Sequence, residues 1–146
     1  MEKSRKELKS LSILILAFVA IDLVMNIVNA CVNGLPKAEN IPTGMTKEMA
    51  DAVIMVTFIL TFVVFIPQIY VGIKGIKIAN GAESGKAHMI WAIILAIFAC
   101  ISVITAISNI SKGVNADRVF DIIYPAVDLF IFVCYFIYAR KVANNQ

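Results

Sequence analysis

Four apolar stretches dominate the chain and decide which solvent it can fold in. They run from Leu11 to Cys31, from Ala50 to Gly72, from His88 to Ile110 and from Val119 to Ala139. Each is long enough to cross a bilayer, whose hydrocarbon needs about 20 helical residues. Water is a poor alternative solvent. Of the 146 residues, 60% are apolar and 16% charged, against roughly 45–50% and 25% in soluble domains. A fold this small leaves too much surface exposed to hide that excess. The stretches lack the period of barrel strands, and four strands could not close a barrel. Helices satisfy their own backbone hydrogen bonds, so they are the economical way across. The expected fold class is an all-α membrane protein, a four-transmembrane-helix bundle forming a single integral membrane domain over residues 1–146.

The basic residues set the expected orientation. The N-terminus (Lys3, Arg5, Lys6, Lys9), the middle connection (Lys74, Lys77, Lys86) and the C-terminus (Arg140, Lys141) hold nine of the 13. The other two connections hold four: Lys37, Lys47, Lys112 and Arg118. The richer side faces the cytoplasm, which predicts both termini inside and a cell-membrane location. A basic start followed by Val28-Asn29-Ala30-Cys31 resembles a lipoprotein signal. The apolar run is too long for one, however, and it contains Asp22 and Asn26, so the first stretch is expected to remain as a span.

Connections follow from turn chemistry. Residues 33–48, with Pro36, Pro42, Gly34 and Gly44, read as an irregular outer loop. Residues 80–86 read as a short cytoplasmic turn that makes the second and third spans antiparallel neighbours. Asn80-Gly81 suits a helix C-terminus. Helix continuing from the second span to Ala79 would be about 45 Å long and carries Pro67, which predicts a kink and a candidate hinge. Trp91, Tyr70 and Tyr138 fall near the same boundary, where interfacial aromatics anchor helices. A faint echo, Lys77-Ile78-Ala79-Asn80 against Lys141-Val142-Ala143-Asn144, is compatible with a two-plus-two duplication.

The informative residues are polar ones inside the spans. Asp22 and Asp128 sit near the middle of the first and fourth spans, at matching depth although the spans run in opposite directions. An intramembrane acid costs roughly 2.5–3.5 kcal/mol on insertion scales and belongs in the bundle interior or a watery cavity. Asp22, Asn26, Asn29 and Asn33 share one helical face. Asp121, Tyr124 and Asp128 share another, as do Ser102, Thr105 and Asn109, with Thr57 and Thr61 a weaker pair. In the assigned orientation these residues lie from the midplane outward, which predicts a cleft open outside and sealed inside. Gln68, beside Pro67, is the exception in the inner half. The bland alternative is that Ser, Thr and Asn only hydrogen-bond between helices, at about 0.6 kcal/mol each.

No Lys or Arg lies within the central part of any span. Two carboxylates close together away from water cannot comfortably both ionise, so one holds a proton or a cation sits between them. A proton, a small metal ion or an organic amine would suit such a pair; an anion would not. The expected cation/proton or ligand-binding set is Asp22, Asp128, Asn26, Asn29, Ser102, Thr105 and Tyr124, with Pro67 as hinge. Cys31, Cys100 and Cys134 are far apart and His88 is the single histidine, so no disulfide framework or zinc site is expected, nor any cofactor. No nucleophile–base spacing points to an enzyme, and no basic stripe interleaved with aromatics points to nucleic acid.

Pro67-Gln68 resembles the dipeptide of PQ-loop transporters, whose remaining pattern is absent. The size, span count and first-span acid resemble small multidrug-resistance exporters, with Asp22 where those carry glutamate and a charge bias that opposes dual-topology insertion. The Tyr-Asp and Gly-x-Gly-Asp motifs of intramembrane aspartyl proteases are missing, and no family is assigned. Two functions fit: a small transporter or channel, homo-oligomeric because four helices make a thin wall, or a non-transporting membrane subunit whose polar stripes dock a partner helix.

Overall fold

A computed structural model describes residues 2–37, 44–82, 85–110 and 116–144, the side chains of 109–110, 116–118 and 120–121 excepted. Four helices account for nearly all of it: α1 (Glu2–Asn33), α2 (Lys47–Ala79), α3 (Ala87–Ile110) and α4 (Ala116–Ala143). Each is long and apolar enough to cross a membrane. Parts of the expected loop 33–48 and turn 80–86, together with the Asn109 and Asp121 side chains, lie outside the described residues.

Local chemistry explains the helix ends. α1 begins at Glu2, ahead of the apolar run, because its Lys, Arg, Glu and Leu residues are good helix formers. At the start of α2 the Thr46 hydroxyl accepts the Met49 N–H at 3.3 Å, and Glu48 complements the exposed amides. At its end Gly81 N–H donates to Ile78 O and Ala82 N–H to Lys77 O. That pairing needs a left-handed residue, and it is Gly81 (φ +77°) rather than Asn80 that supplies it. α2 runs on through Pro67 and α4 through Pro125. A proline inside a helix leaves the carbonyl four residues back without its helical donor, in α2 that of Val63.

The helices form a ring in which α1 touches α2 and α4, and α3 touches α4 and α2, with α2 and α3 sharing the least contact. Neighbours are antiparallel, so the start of α1, the end of α2, the start of α3 and the end of α4 share one end, here the terminal end. The opposite end is the distal end. Packing is concentrated at the terminal end. Leu8, Ser12, Ile15 and Val19 of α1 are buried against Val71 and Ile78 of α2, Ala92 and Leu95 of α3, and Ile131, Phe132, Tyr135, Ala139 and Val142 of α4.

Small residues make this end tight. A Cβ on Gly72 would lie 2.6 Å from the Leu16 side chain, and one on Gly75 would overlap Ser12 Oγ and come within 2.7 Å of the Tyr135 ring. Tyr135, fully buried, reaches across from α4 and donates its hydroxyl to Val71 O at 2.9 Å. Ser12 Oγ donates to Leu8 O at 2.7 Å. Towards the distal end the apolar side chains turn outward: Met25 is 62% exposed, Val32 75% and Ile104 58%. Exposure on this scale is untenable in water and ordinary in lipid.

Gly75 therefore carries a stability prediction. Gly75→Ala should cost about 1–3 kcal/mol, the usual range for overpacking, seen as a lower thermal midpoint in detergent. Ile59→Ala, on an exposed position, should leave the midpoint nearly unchanged.

Candidate functional site

The inward stripes of three helices change character at one level. On α1 the buried sequence Leu8, Ser12, Ile15, Val19 continues at helical spacing into Asp22 and Asn26. On α4, read from the terminal end, Val142, Ala139, Tyr135 and Phe132 lead to Asp128 and Tyr124. On α2 the corresponding series passes from Gly75, Gly72 and Val71 to Gln68. The two acids and Gln68 thus begin where the tight packing ends.

Asp22, Asp128 and Gln68 line one cavity with Ile15, Phe18, Val19, Ile131 and Phe132. Its volume is about 10 Å³, the space of a single water. Tyr124 adds a direct link, donating its hydroxyl to Asp22 Oδ2. The Phe18 ring meets Tyr124 edge to face, with centroids 6.3 Å apart, and so helps to fix the phenol. Asn26 Nδ2 donates to the Asp22 main-chain carbonyl at 2.8 Å, which anchors the helix beside the acid rather than the carboxylate itself. Among the described residues no Lys or Arg lines this cavity.

The remaining expected residues are placed differently. Asn29 does not line the cavity; Asn33 donates to its side-chain oxygen on the exposed distal face of α1. Thr105 is exposed and donates to Ile101 O at 2.9 Å. Ser102 donates to Phe98 O at 3.0 Å, and although it does not join the acid pair it lines a second cavity containing Tyr124 and Asp128. Thr57 and Thr61 also bond to their own helix, at 2.9 and 3.1 Å. Back-bonding of this kind satisfies a hydroxyl without any neighbouring helix.

Gln68 is the member that sequence reasoning left out of the site. It was legible as a polar residue beside a helix-interior proline, but its inner-half position set it apart from the outward stripes. Pro67 and Pro125 flank the site as well, Pro67 next to Gln68 and Pro125 next to Tyr124. Among the described residues no group of three or more His, Cys, Asp or Glu side chains converges. The donors present are hard oxygens, suited to protons and hard or organic cations rather than thiophilic metals.

The Tyr124–Asp22 contact is testable by itself. Tyr124→Phe should shift the Asp22 carboxyl band in the infrared and cost about 0.6 kcal/mol, the mean for membrane hydrogen bonds. Thr105→Val should leave that band in place. Comparison with protein families, with curated proteins and with solved structures finds no match to this chain.

Proposed function

We propose that this protein is a small cation transporter of the cell membrane in which Asp22 and Asp128 bind the cation and exchange it for protons. One observation carries the reading: two acids at one level of a membrane bundle line a water-sized cavity with no basic residue in its wall among the described residues. Such a pair is served by a proton or a cation and is hostile to an anion. Tyr124 gives Asp22 a neutral hydrogen-bond donor, which stabilises a carboxylate without cancelling its charge. Gln68, with one acceptor and two donors on its amide, can serve either protonation state.

The surroundings suit alternating exposure. Tight packing through Ser12, Gly72, Gly75 and Tyr135 seals the terminal end, while the distal halves of α1 and α2 pack loosely and carry exposed apolar side chains. Pro67 and Pro125 put the weakest backbone points of α2 and α4 at the depth of the acids, and Pro67 is the proposed hinge. With the basic terminal end in the cytoplasm, the site communicates with the outside. The exposed Asn29–Asn33 pair favours a second reading, in which this face of α1 docks a partner helix in a larger complex.

Proteoliposomes with an entrapped pH dye test the first reading. An inward gradient of Na⁺, K⁺ or tetramethylammonium should drive proton efflux, and Asp22→Asn or Asp128→Asn should slow it at least tenfold. Silence of the wild type with all three cations, joined to loss of a co-purifying protein in Asn29→Leu, would establish the docking role instead. Sidedness has its own check. Cys31, exposed near the distal end of α1, should react with a membrane-impermeant maleimide added to intact cells, whereas a cysteine at Lys86 should react only after permeabilisation.

A further inference from the structure

Asp128 faces a second, larger space. A cavity of about 320 Å³ lies between α2, α3 and α4, with Gln68, Ser102, Tyr124 and Asp128 among its lining residues. Its mouth is on the lipid-facing side, where Val64 is 39% and Phe98 57% exposed. Its floor is Leu95, Ala99 and Phe132, all buried. Gln68, Asp128 and Phe132 also line the small cavity holding Asp22, so the two spaces share a wall. The mouth opens where α2 and α3 share the least contact.

We infer that this lateral cavity is a binding site for a lipophilic organic cation that enters from the bilayer and is held by Asp128. The inference rests on the proposed cation role of the acid pair and names the class of cation. Volume comes first: about 320 Å³ falls at the lower end of small-ligand pockets, whereas the inner cavity has room for a water-sized occupant only. Lining comes second. Apolar walls with a few placed polar groups suit a ligand that is mostly hydrocarbon, and the lining includes the aromatic residues Phe98, Phe132 and Tyr124, a residue type that attracts dispersed positive charge. Access comes third. A mouth in the hydrocarbon admits a solute that partitions into lipid, and a strongly hydrated ion such as Na⁺ would have to shed its water there. Charge comes last: among the described residues Asp128 is the one carboxylate in the wall and no cationic side chain accompanies it.

The probe is radiolabelled benzyltrimethylammonium, a permanent cation with one aromatic ring. Its neutral isostere, neopentylbenzene, has carbon in place of nitrogen. Equilibrium binding is measured on purified protein in phosphatidylcholine nanodiscs, without any gradient. Saturable binding should weaken at least tenfold in Asp128→Asn and in Ser102→Phe, which fills the mouth from an exposed position and so keeps the test valid should Asp128→Asn fail to fold. Neopentylbenzene should not compete. Absence of saturable binding overturns the inference, as does equal binding by Asp128→Asn or displacement by neopentylbenzene, which would make the cavity an acyl-chain groove. Cross-linking between copies through Ser102→Cys would overturn it too, since a second copy would then cover the mouth. Binding that behaves as expected in a protein that moves no protons would retain this site and refute the exchange mechanism; proton-coupled metal flux without benzyltrimethylammonium binding would do the reverse.

Discussion

An acid inside a bilayer must receive from the protein the hydrogen bonds and counter-charge that water gives it elsewhere, and this bundle is arranged around that demand. A carboxylate left to lipid would cost several kcal/mol, enough to bias the rotation of the helix that carries it. Asp22 therefore continues the buried face of α1, and Asp128 that of α4. Tyr124 bonds to Asp22 across the α1–α4 contact, and Phe18 steadies the phenol from the α1 side. The tight terminal end supplies the rigid half against which these groups are held.

Much of this was legible in the sequence. Hydropathy alone indicates four helices, because nothing else satisfies the backbone in hydrocarbon, and the Asn80-Gly81 stop follows from turn chemistry. Spacing on α1 and α4 puts Asp22, Tyr124 and Asp128 on the faces that meet. What spacing does not give is helix rotation relative to neighbours. Ser102, Thr105 and Asn109 have the i, i+3, i+7 spacing of one helical face, yet Thr105 is exposed and satisfies itself on Ile101 O. A hydroxyl that bonds its own helix leaves no pattern to distinguish it from one that bonds a partner. The Asn29–Asn33 pair has the same ambiguity.

The level of Gln68 does not follow from the ends of the apolar run, because α2 is 33 residues long, far more than the hydrocarbon requires. Level is better measured by contacts: Ser12 on α1 meets Gly75 on α2, and Leu16 meets Gly72. From Gly72, one helical turn of about 5.4 Å brings Gln68 to within side-chain reach of the acids. The same contacts show why the polar level is sharp. Below it the small residues Ser12, Gly72 and Gly75 let backbones approach closely, as interfaces between membrane helices require.

The Tyr135 contact also bears on the order in which the chain is assembled. Ser12, Leu16, Gly72 and Gly75 all belong to the first two helices, which leave the ribosome together as a hairpin. On that hairpin Gly75 and the Val71 carbonyl form the seat of the Tyr135 ring, which comes from α4 and is synthesised later. The tight packing at this end therefore forms only once α4 has joined α1 and α2, and truncation before Tyr135 would remove it.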